Sequence, residues 1–387
     1  MKINQLHTLM NGVTQEVLGA TAVVKEDLSN VVAIGKTIID TDNIDNYVKK
    51  LVNHIGKVIF VNRLYAGGVP SVLMDSWEYG SILEKITAEL PDASENKSWD
   101  LNNGENYSPD VFYQPKVEAK FFNSKITFEI PLSFTELQVK ESFSNAEQLN
   151  GFISMLTTSV ENAMTVRLDA LIMRTINNMT AETLVSDLGA DLATKADGGV
   201  KAINLLARYN VGKSAAQKVT AADAVTNHDF IRFATYQIGL TSDRMSKISK
   251  LFNVEGKERF TPADEQHTVL LSEFARASET FLRSNLMQVD KVTLPEHDTV
   301  PYWQGSGTNY AFDEVSKIDV KTSNGNTVSI SGILGVMFDR NALGVTNLDR
   351  RVTTNYNPKA EFYTNFYKFD SGYYNDLNEN MVVFYVA

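Results

Sequence analysis

The chain has 387 residues, 47 acidic and 36 basic side chains, a net charge of −11 and no cysteine. The missing sulfur excludes disulfides, thiolate metal sites and cysteine nucleophiles. With no basic block to neutralise phosphates, the charge balance also argues against a tight reader of DNA sequence. At roughly 150 residues per domain the length predicts two or three domains. A hydrophobic share of 43% is enough to build real cores.

No run approaches the ~18 apolar residues of a membrane span. Met1-Lys2-Ile3-Asn4-Gln5-Leu6-His7 lacks the basic and apolar blocks of a secretory signal. The expectation is a soluble protein made in a cytoplasm.

Residues 1–70 read as an arm plus a linker. Within them Ile44, Tyr47, Val48, Leu51, Val52 and Ile55 predict an amphipathic helix over 43–59. Asp75 with Glu78 has capping-box spacing. Ile82, Leu83 and Ile86 then predict a short helix ended by Pro91, and 92–115 reads as loop. Val117, Ala119 and Phe121 alternate with charged residues, and Ile126, Phe128, Ile130, Leu132 and Phe134 alternate again beyond Asn123-Ser124. That pattern predicts a β-hairpin. A two-stranded hairpin is marginal alone in water, so it must lie on its own domain or on another chain.

The strongest helix signal follows. Ser144 with Glu147 forms another capping box. Leu149, Ile153, Leu156, Val160, Ala163, Leu168, Leu171 and Met179 lie mostly three or four apart. A straight helix over 145–180 would run ~54 Å; the alternatives are a bend near Gly151 or a coiled coil. Residues 185–225 read as loop with one short helix near 203–208. Residues 228–252 predict one or two helices, with Phe230, Phe233, Ile238, Met245, Ile248 and Leu251 inward. A strand at 268–272 and a helix at 273–286 follow, the latter with Phe274, Ala277, Phe281 and Leu282 inward. Residues 318–322 and 327–331 flank Asn324-Gly325 and predict a tight hairpin. The run 381–386 is apolar on both faces, as in a buried strand.

Reactive constellations are scarce. Residues 207–214, Ala-Arg-Tyr-Asn-Val-Gly-Lys-Ser, are one glycine short of a phosphate loop, and no clear strand leads in, so a surface loop is the default. Asp40-Thr41-Asp42-Asn43-Ile44-Asp45 lacks the Gly and closing Glu of a calcium loop. His7, His54, His228, His267 and His297 are scattered singly, and no Gly-x-Ser-x-Gly elbow occurs. No catalytic, cofactor or metal residue is assigned, and the chain is not expected to be an enzyme.

The order of elements is arm, short helix, long hairpin, very long helix, mixed α/β region and returning strands. It resembles the tailed-bacteriophage major capsid protein fold, the Hong Kong phage-type fold shared with encapsulin shells. Three stretches resemble capsid proteins of phages of Gram-positive bacteria. The first is Trp77-Glu78-Tyr79-Gly80-Ser81-Ile82-Leu83-Glu84-Lys85-Ile86 with Glu89-Leu90-Pro91-Asp92-Ala93 and Trp99. The second is the junction from Phe134 to Phe152. The third is Ile333-Leu334-Gly335-Val336-Met337-Phe338-Asp339-Arg340 leading into the aromatic tail. The resemblance covers about 70–387.

The resemblance implies an α+β capsid fold in seven parts. These are an N-terminal arm (1–74), a short helix and loop (75–109), an extended hairpin loop (110–141), a peripheral domain with a long spine helix (142–225), an axial α/β domain (226–347), returning peripheral strands (348–374) and a final strand, 375–387, in the axial domain. Phe121, Phe122, Asn123, Ser124 and Lys125 would form the extended-loop tip, in contact with a neighbouring subunit. The implied function is a non-enzymatic shell protein that assembles with itself as pentamers and hexamers, in the virion, around double-stranded DNA that is enclosed without sequence-specific binding. A separate scaffolding protein, a portal and a decoration protein are the other implied partners; no membrane and no cofactor are implied. An encapsulin compartment or another virion protein are the alternatives. Some members join a loop Lys to a neighbour's Asn by an isopeptide bond; Lys116, Lys120 and Lys125 lie on the loop, but none matches a known bonding position.

Overall fold

The computed structural model describes residues 3–19, 23–26, 29–40, 46–47, 50, 69, 72–74, 82–91, 93, 95, 102–105, 110, 112–135, 137–138, 146–189, 194, 196–284, 294–301, 303, 317–323, 325 and 327–387. Six helices and thirteen strands are named among them. In chain order they are α1 (Ile3–Leu18), α2 (Val31–Asp40), β1 (Leu73–Met74), β2 (Leu83–Ala88), β3 (Val117–Phe122), β4 (Lys125–Thr135), α3 (Ala146–Leu188), β5 (Ala202–Asn204), α4 (Leu205–Asn210), α5 (His228–Met245), β6 (Gln266–Leu271), α6 (Ser272–Ser284), β7 (Asp298–Val300), β8 (Lys317–Lys321), β9 (Thr327–Ser331), β10 (Ile333–Asp339), β11 (Leu343–Asn357), β12 (Phe362–Asn375) and β13 (Met381–Tyr385).

Two sheets and one helix organise the chain. The first sheet has the order β1-β11-β12-β4, and its long strands are antiparallel. Along β12 the period of two turns Tyr363, Asn365, Tyr367, Phe369 and Ser371 inward. Cross-strand aromatic pairs fix its register on β4: Phe369 lies 5.1 Å from Phe128 and Tyr363 lies 5.8 Å from Phe134. The second sheet has the order β5-β13-β10-β6-β7. Its centre, β13 and β10, is buried on both faces, which is why Met381–Tyr385 reads as an unbroken apolar run.

Helix α3 spans 43 residues, about 64 Å at ~1.5 Å per residue. Its N-terminal half shows one buried stripe, Leu156, Val160, Met164 and Leu168. From Ala170 onward it is buried nearly all round. Thr175 and Thr183, with no water to meet, return their hydroxyls to the carbonyls of Leu171 and Met179 at 2.8 Å. The helix is continuous through Gly151, so neither the bend nor the coiled coil is needed. At its C-terminal end Asp187 accepts from the backbone N–H groups of Lys201 (2.9 Å) and Ala202 (2.8 Å), tying the helix to β5.

Two cores result. One gathers Met164–Leu188 of α3 with the five-stranded sheet and α5; the other gathers Leu156 and Val160 with Phe134, Tyr363, Tyr367 and the N-terminal residues Met10, Val13, Val31, Ile38 and Tyr47.

Several expectations need correction. The N-terminal stretch contains two helices, 3–18 and 31–40, which the sequence reading left as polar arm. Most of the expected 43–59 helix lies outside the described residues; Tyr47, inside them, is helical and fully buried. The expected helix near 82–90 is strand β2, because pairing with 117–122 overrides a weak helical spacing. Its capping box at 75–78 lies outside the described residues.

Strands β3 and β4 form where the alternation placed them, but not as a hairpin with each other. β3 pairs with β2 and β4 with β12. Alternation specifies which face of a strand is buried; it does not name the partner. Residues 202–204, read in the sequence as loop and the start of a short helix, form a strand that joins the five-stranded sheet through β13, and the helix begins at Leu205.

Ile248 and Leu251, expected inward, are exposed. α5 ends at Met245, and the chain folds into a loop closed by Ser249 and Arg259, leaving Phe252 to fill the core. Residues 317–321 and 327–331 do pair as a hairpin, with Gly325 at φ 81° in its turn. The side chains of Leu149, Ile153, Phe281 and Leu282 lie outside the described residues.

Candidate subunit interface

The β2–β3 ribbon has two unlike faces, and both follow from its register. Leu83 opposes Phe122, Lys85 opposes Lys120, and Thr87 opposes Glu118 on one face. Glu84 opposes Phe121, Ile86 opposes Ala119, and Ala88 opposes Val117 on the other.

The first face is clamped to the body by charge. Lys85 Nζ donates to Asp376 Oδ2 (2.7 Å), Glu379 Oε1 (2.6 Å) and the Asn341 carbonyl (3.2 Å), so all three of its N–H groups are used. Lys120 Nζ reaches the other oxygen of Asp376 at 3.1 Å. Arg259 Nε stands 3.6 Å from Glu379, an ion contact longer than a hydrogen bond. Farther along the ribbon, Lys257 bridges Glu118 (3.1 Å) and Glu89 (3.4 Å).

The Asp376 side chain is only 1% exposed. Burial pushes its pKa up, but the hydrogen bond and charge of Lys85, the Asn378 N–H and Lys120 outweigh it and hold the carboxyl below its ordinary value. Glu118 is likewise lowered, chiefly by its hydrogen bond from Lys257, and Lys257 is raised in return.

The second face has no cover within the described residues. Ile86 and Phe121 are each 64% exposed and Val117 60%. The connection joining β2 to β3 carries Phe112 and Tyr113, each 85% exposed. Single exposed apolar residues are ordinary; a row of them on one side of a two-stranded ribbon marks an interaction surface.

The five residues singled out in the sequence lie where β3 of one sheet passes into β4 of another. Phe122 is half-buried, its ring 5.0 Å from Tyr374. The Tyr373 N–H donates to the Ser124 carbonyl at 3.1 Å, and Lys125 opens β4 opposite Gly372. Asn123 is exposed, and Phe121 alone presents an exposed aromatic ring. The sequence missed Ile86 as a member of the face that carries Val117 and Phe121 because β2 read as helix. It missed Lys85, Asp376 and Glu379 because residues almost three hundred positions apart leave no local pattern.

The phosphate-loop lookalike is a helix end. Leu205–Asn210 is α4, Arg208 Nε donates to Asp197 at 2.8 Å, and Lys213 Nζ sits 2.9 Å from the Tyr209 ring centre. Among the described residues no three His, Asp or Glu side chains converge to hold a metal ion, and no helix is long and apolar enough to cross a membrane.

An α+β chain built on one very long helix, with a charge-clamped ribbon bearing an exposed apolar face, has the form of a shell subunit. The sequence matches the Phi29-like phage major capsid protein family over residues 8–385, and the chain belongs to that family. It is a phage major capsid protein.

Solved structures similar to it include the capsid of Staphylococcus phage Andhra, at 10% identity and TM-score 0.46 over 84% of this chain and 86% of that one. The capsid of cyanophage P-SCSP1u is similar at 11% identity and TM-score 0.42, over 85% and 93%. A chain in a structure of bacteriophage P68 describing head fiber and inner core protein is similar at 9% identity and TM-score 0.43, over 85% and 87%. No curated protein matches the chain.

Proposed function

We propose that this chain closes with copies of itself, as pentamers and hexamers, into an icosahedral shell around double-stranded DNA. The observation that carries this reading is the β2–β3 ribbon: one face clamped to the body by Lys85, Lys120 and Lys257, the other offering Ile86, Val117 and Phe121 outward. The outward face, with Phe112 and Tyr113, lies over a neighbouring copy. In this reading 83–122 is the extended loop, in place of the 110–141 span that the resemblance implies. Residues 146–188 are the spine, β4, β11 and β12 the peripheral sheet, and the five-stranded sheet the core of the axial part.

Contacts of this kind are heterologous and close by rotation into rings. Each can be weak because many act together. The work is done by interfaces, with no chemical step. The acidic excess suits a wall that encloses DNA without gripping it, and screening over about 8 Å confines that effect to close range. Assembly takes place in the host cytoplasm, with a portal and separate scaffolding and decoration proteins as further partners.

Replacing Phe121 with Asp tests the reading. The variant is expected to fold, with an unchanged circular dichroism spectrum, and to fail to close: light scattering and negative-stain microscopy would show subunits or small rings. Normal shells at normal yield would sink the interface.

A further inference from the structure

The loop between α5 and β6 is a well-tied frame that carries apolar side chains outward. At its base the Thr261 N–H donates to the Met245 carbonyl at 2.8 Å, and across it Ser249 and Arg259 exchange both backbone hydrogen bonds at 3.0 Å. Phe252 and Asn253 anchor it: both are buried, and the Phe252 carbonyl accepts from the Met381 N–H at 2.8 Å. Ile248 and Phe260 flank the Ser249–Arg259 pair on the base side, and Leu251 lies on the tip side. All three are more than half exposed. Three large apolar residues held outward by one framework form a patch of the kind that marks an interaction site.

The patch is set in positive charge. Residues 244–260 hold Arg244, Lys247, Lys250, Lys257 and Arg259 against Glu255 and Glu258. Lys250 is spent on Glu258 and Lys257 on Glu89 and Glu118, whereas Arg244 and Lys247 stand exposed. The connection between β2 and β3 has the opposite character. It holds Glu89, Asp92, Glu95, Asp100, Glu105 and Asp110 against Lys97 and Lys116. Glu95 and Asp110 are exposed, and so are the nearly bare rings of Phe112 and Tyr113.

Within one chain the two surfaces stay open to solvent, although Lys257 bridges the loop to Glu89 and Glu118 of the ribbon. An acidic aromatic surface and a basic apolar one, borne by the same chain and unmatched in it, are complementary between copies. The Lys257 bridge also fixes the angle between them, as a head-to-tail contact that closes by rotation requires. Given the reading that the ribbon covers a neighbouring copy, we propose that Phe112 and Tyr113 of one copy seat on Ile248, Leu251 and Phe260 of the next. Glu95 and Asp110 then reach Arg244 and Lys247.

The chain has no cysteine, so Gln114→Cys and Glu258→Cys mark the two surfaces without touching an anchoring side chain. Particles of the full-length double variant are treated with a short bis-maleimide and run on a denaturing gel. A ladder of covalent multimers is expected from the double variant, and monomer alone from either single variant. Arg244→Glu/Lys247→Glu should lower shell yield at least tenfold at 150 mM NaCl, and adding Glu95→Lys/Asp110→Lys should recover most of it. Closed shells whose double variant gives monomer bands alone would overturn the seat and leave the shell reading intact; a parent chain that forms no closed shells would sink both. A linked dimer from a single variant would mean that like meets like, and an internally linked monomer would put the contact within one chain; either result overturns the proposal. So would charge-reversed subunits that assemble at full yield but retain less DNA, which would assign the basic patch to nucleic acid.

Discussion

Lys85 and Asp376 are 291 positions apart in sequence and 2.7 Å apart in space, and their contact decides where the ribbon lies. Lys85 also holds Glu379, so removing this one ammonium leaves Asp376 with Lys120 alone and Glu379 with the more distant Arg259.

Lys85→Met is therefore expected to cost about 1.5–3 kcal/mol, as for the loss of hydrogen bonds to a charged group. The loss should be local first. Hydrogen exchange at 83–88 and 117–122 should accelerate while β10 and β13 stay protected. Unchanged exchange in the ribbon would show that its pairing and packing hold it without the clamp.

Acid should release the same clamp. Asp376 has its pKa depressed in the folded protein, so its contribution is fully present above the unfolded value near 3.8 and is lost as pH falls through the lower folded value. Glu118 adds in the same direction. Protease cleavage between 89 and 116, followed from pH 6 down to pH 3, should rise below about pH 4. Onset near pH 6 would point to histidines and away from the carboxylates.

Two glycines should respond oppositely to alanine. At Gly335 a Cβ would stand 2.9 Å from the Val269 carbonyl oxygen and 2.4 Å from Leu270 Cδ2, in the middle of the five-stranded sheet. Gly335→Ala is expected to give insoluble or strongly destabilised protein. At Gly151, within α3, nothing lies within 4 Å; Gly151→Ala should stabilise by about 0.5–1 kcal/mol. Urea midpoints check both, and a destabilised Gly151→Ala would mean that this position needs its glycine.

Deleting residues 1–50 should uncover Phe134, Leu156, Val160, Tyr363 and Tyr367, all now under the N-terminal helices. The truncated subunit is expected to bind hydrophobic dyes and aggregate. A soluble, dye-silent product would show that α1 and α2 are dispensable to that core.

The elements most legible in the sequence were those whose burial repeats along one segment. β13 and the 317–331 hairpin carry their pattern locally, and so does α3, although the reading stopped at Thr180, eight residues before the helix ends at Leu188. Glu182, Thr183, Ser186 and Asp187 thin the apolar signal there, yet much of the last two turns is buried by surrounding elements. β2 was misread because Ile82, Leu83 and Ile86 fit helical spacing, and only pairing with β3 explains why Ile86 faces outward. The candidate face was half legible. Val117 and Phe121 share one side of the alternation, whereas Ile86 required the β2–β3 register, and the lysine clamp required the fold. The helices at 3–18 and 31–40 were missed because their apolar stripes are short and interrupted by polar residues.

One rod runs through both hydrophobic centres of the molecule. Neither centre can melt without stripping the flank of α3 that completes it, and a helix already torn on one side has lost the scaffold on which the other side condenses. Heat should therefore find no half-open intermediate in the dispersed subunit: calorimetry is expected to record a single endotherm, whose enthalpy matches the van't Hoff value.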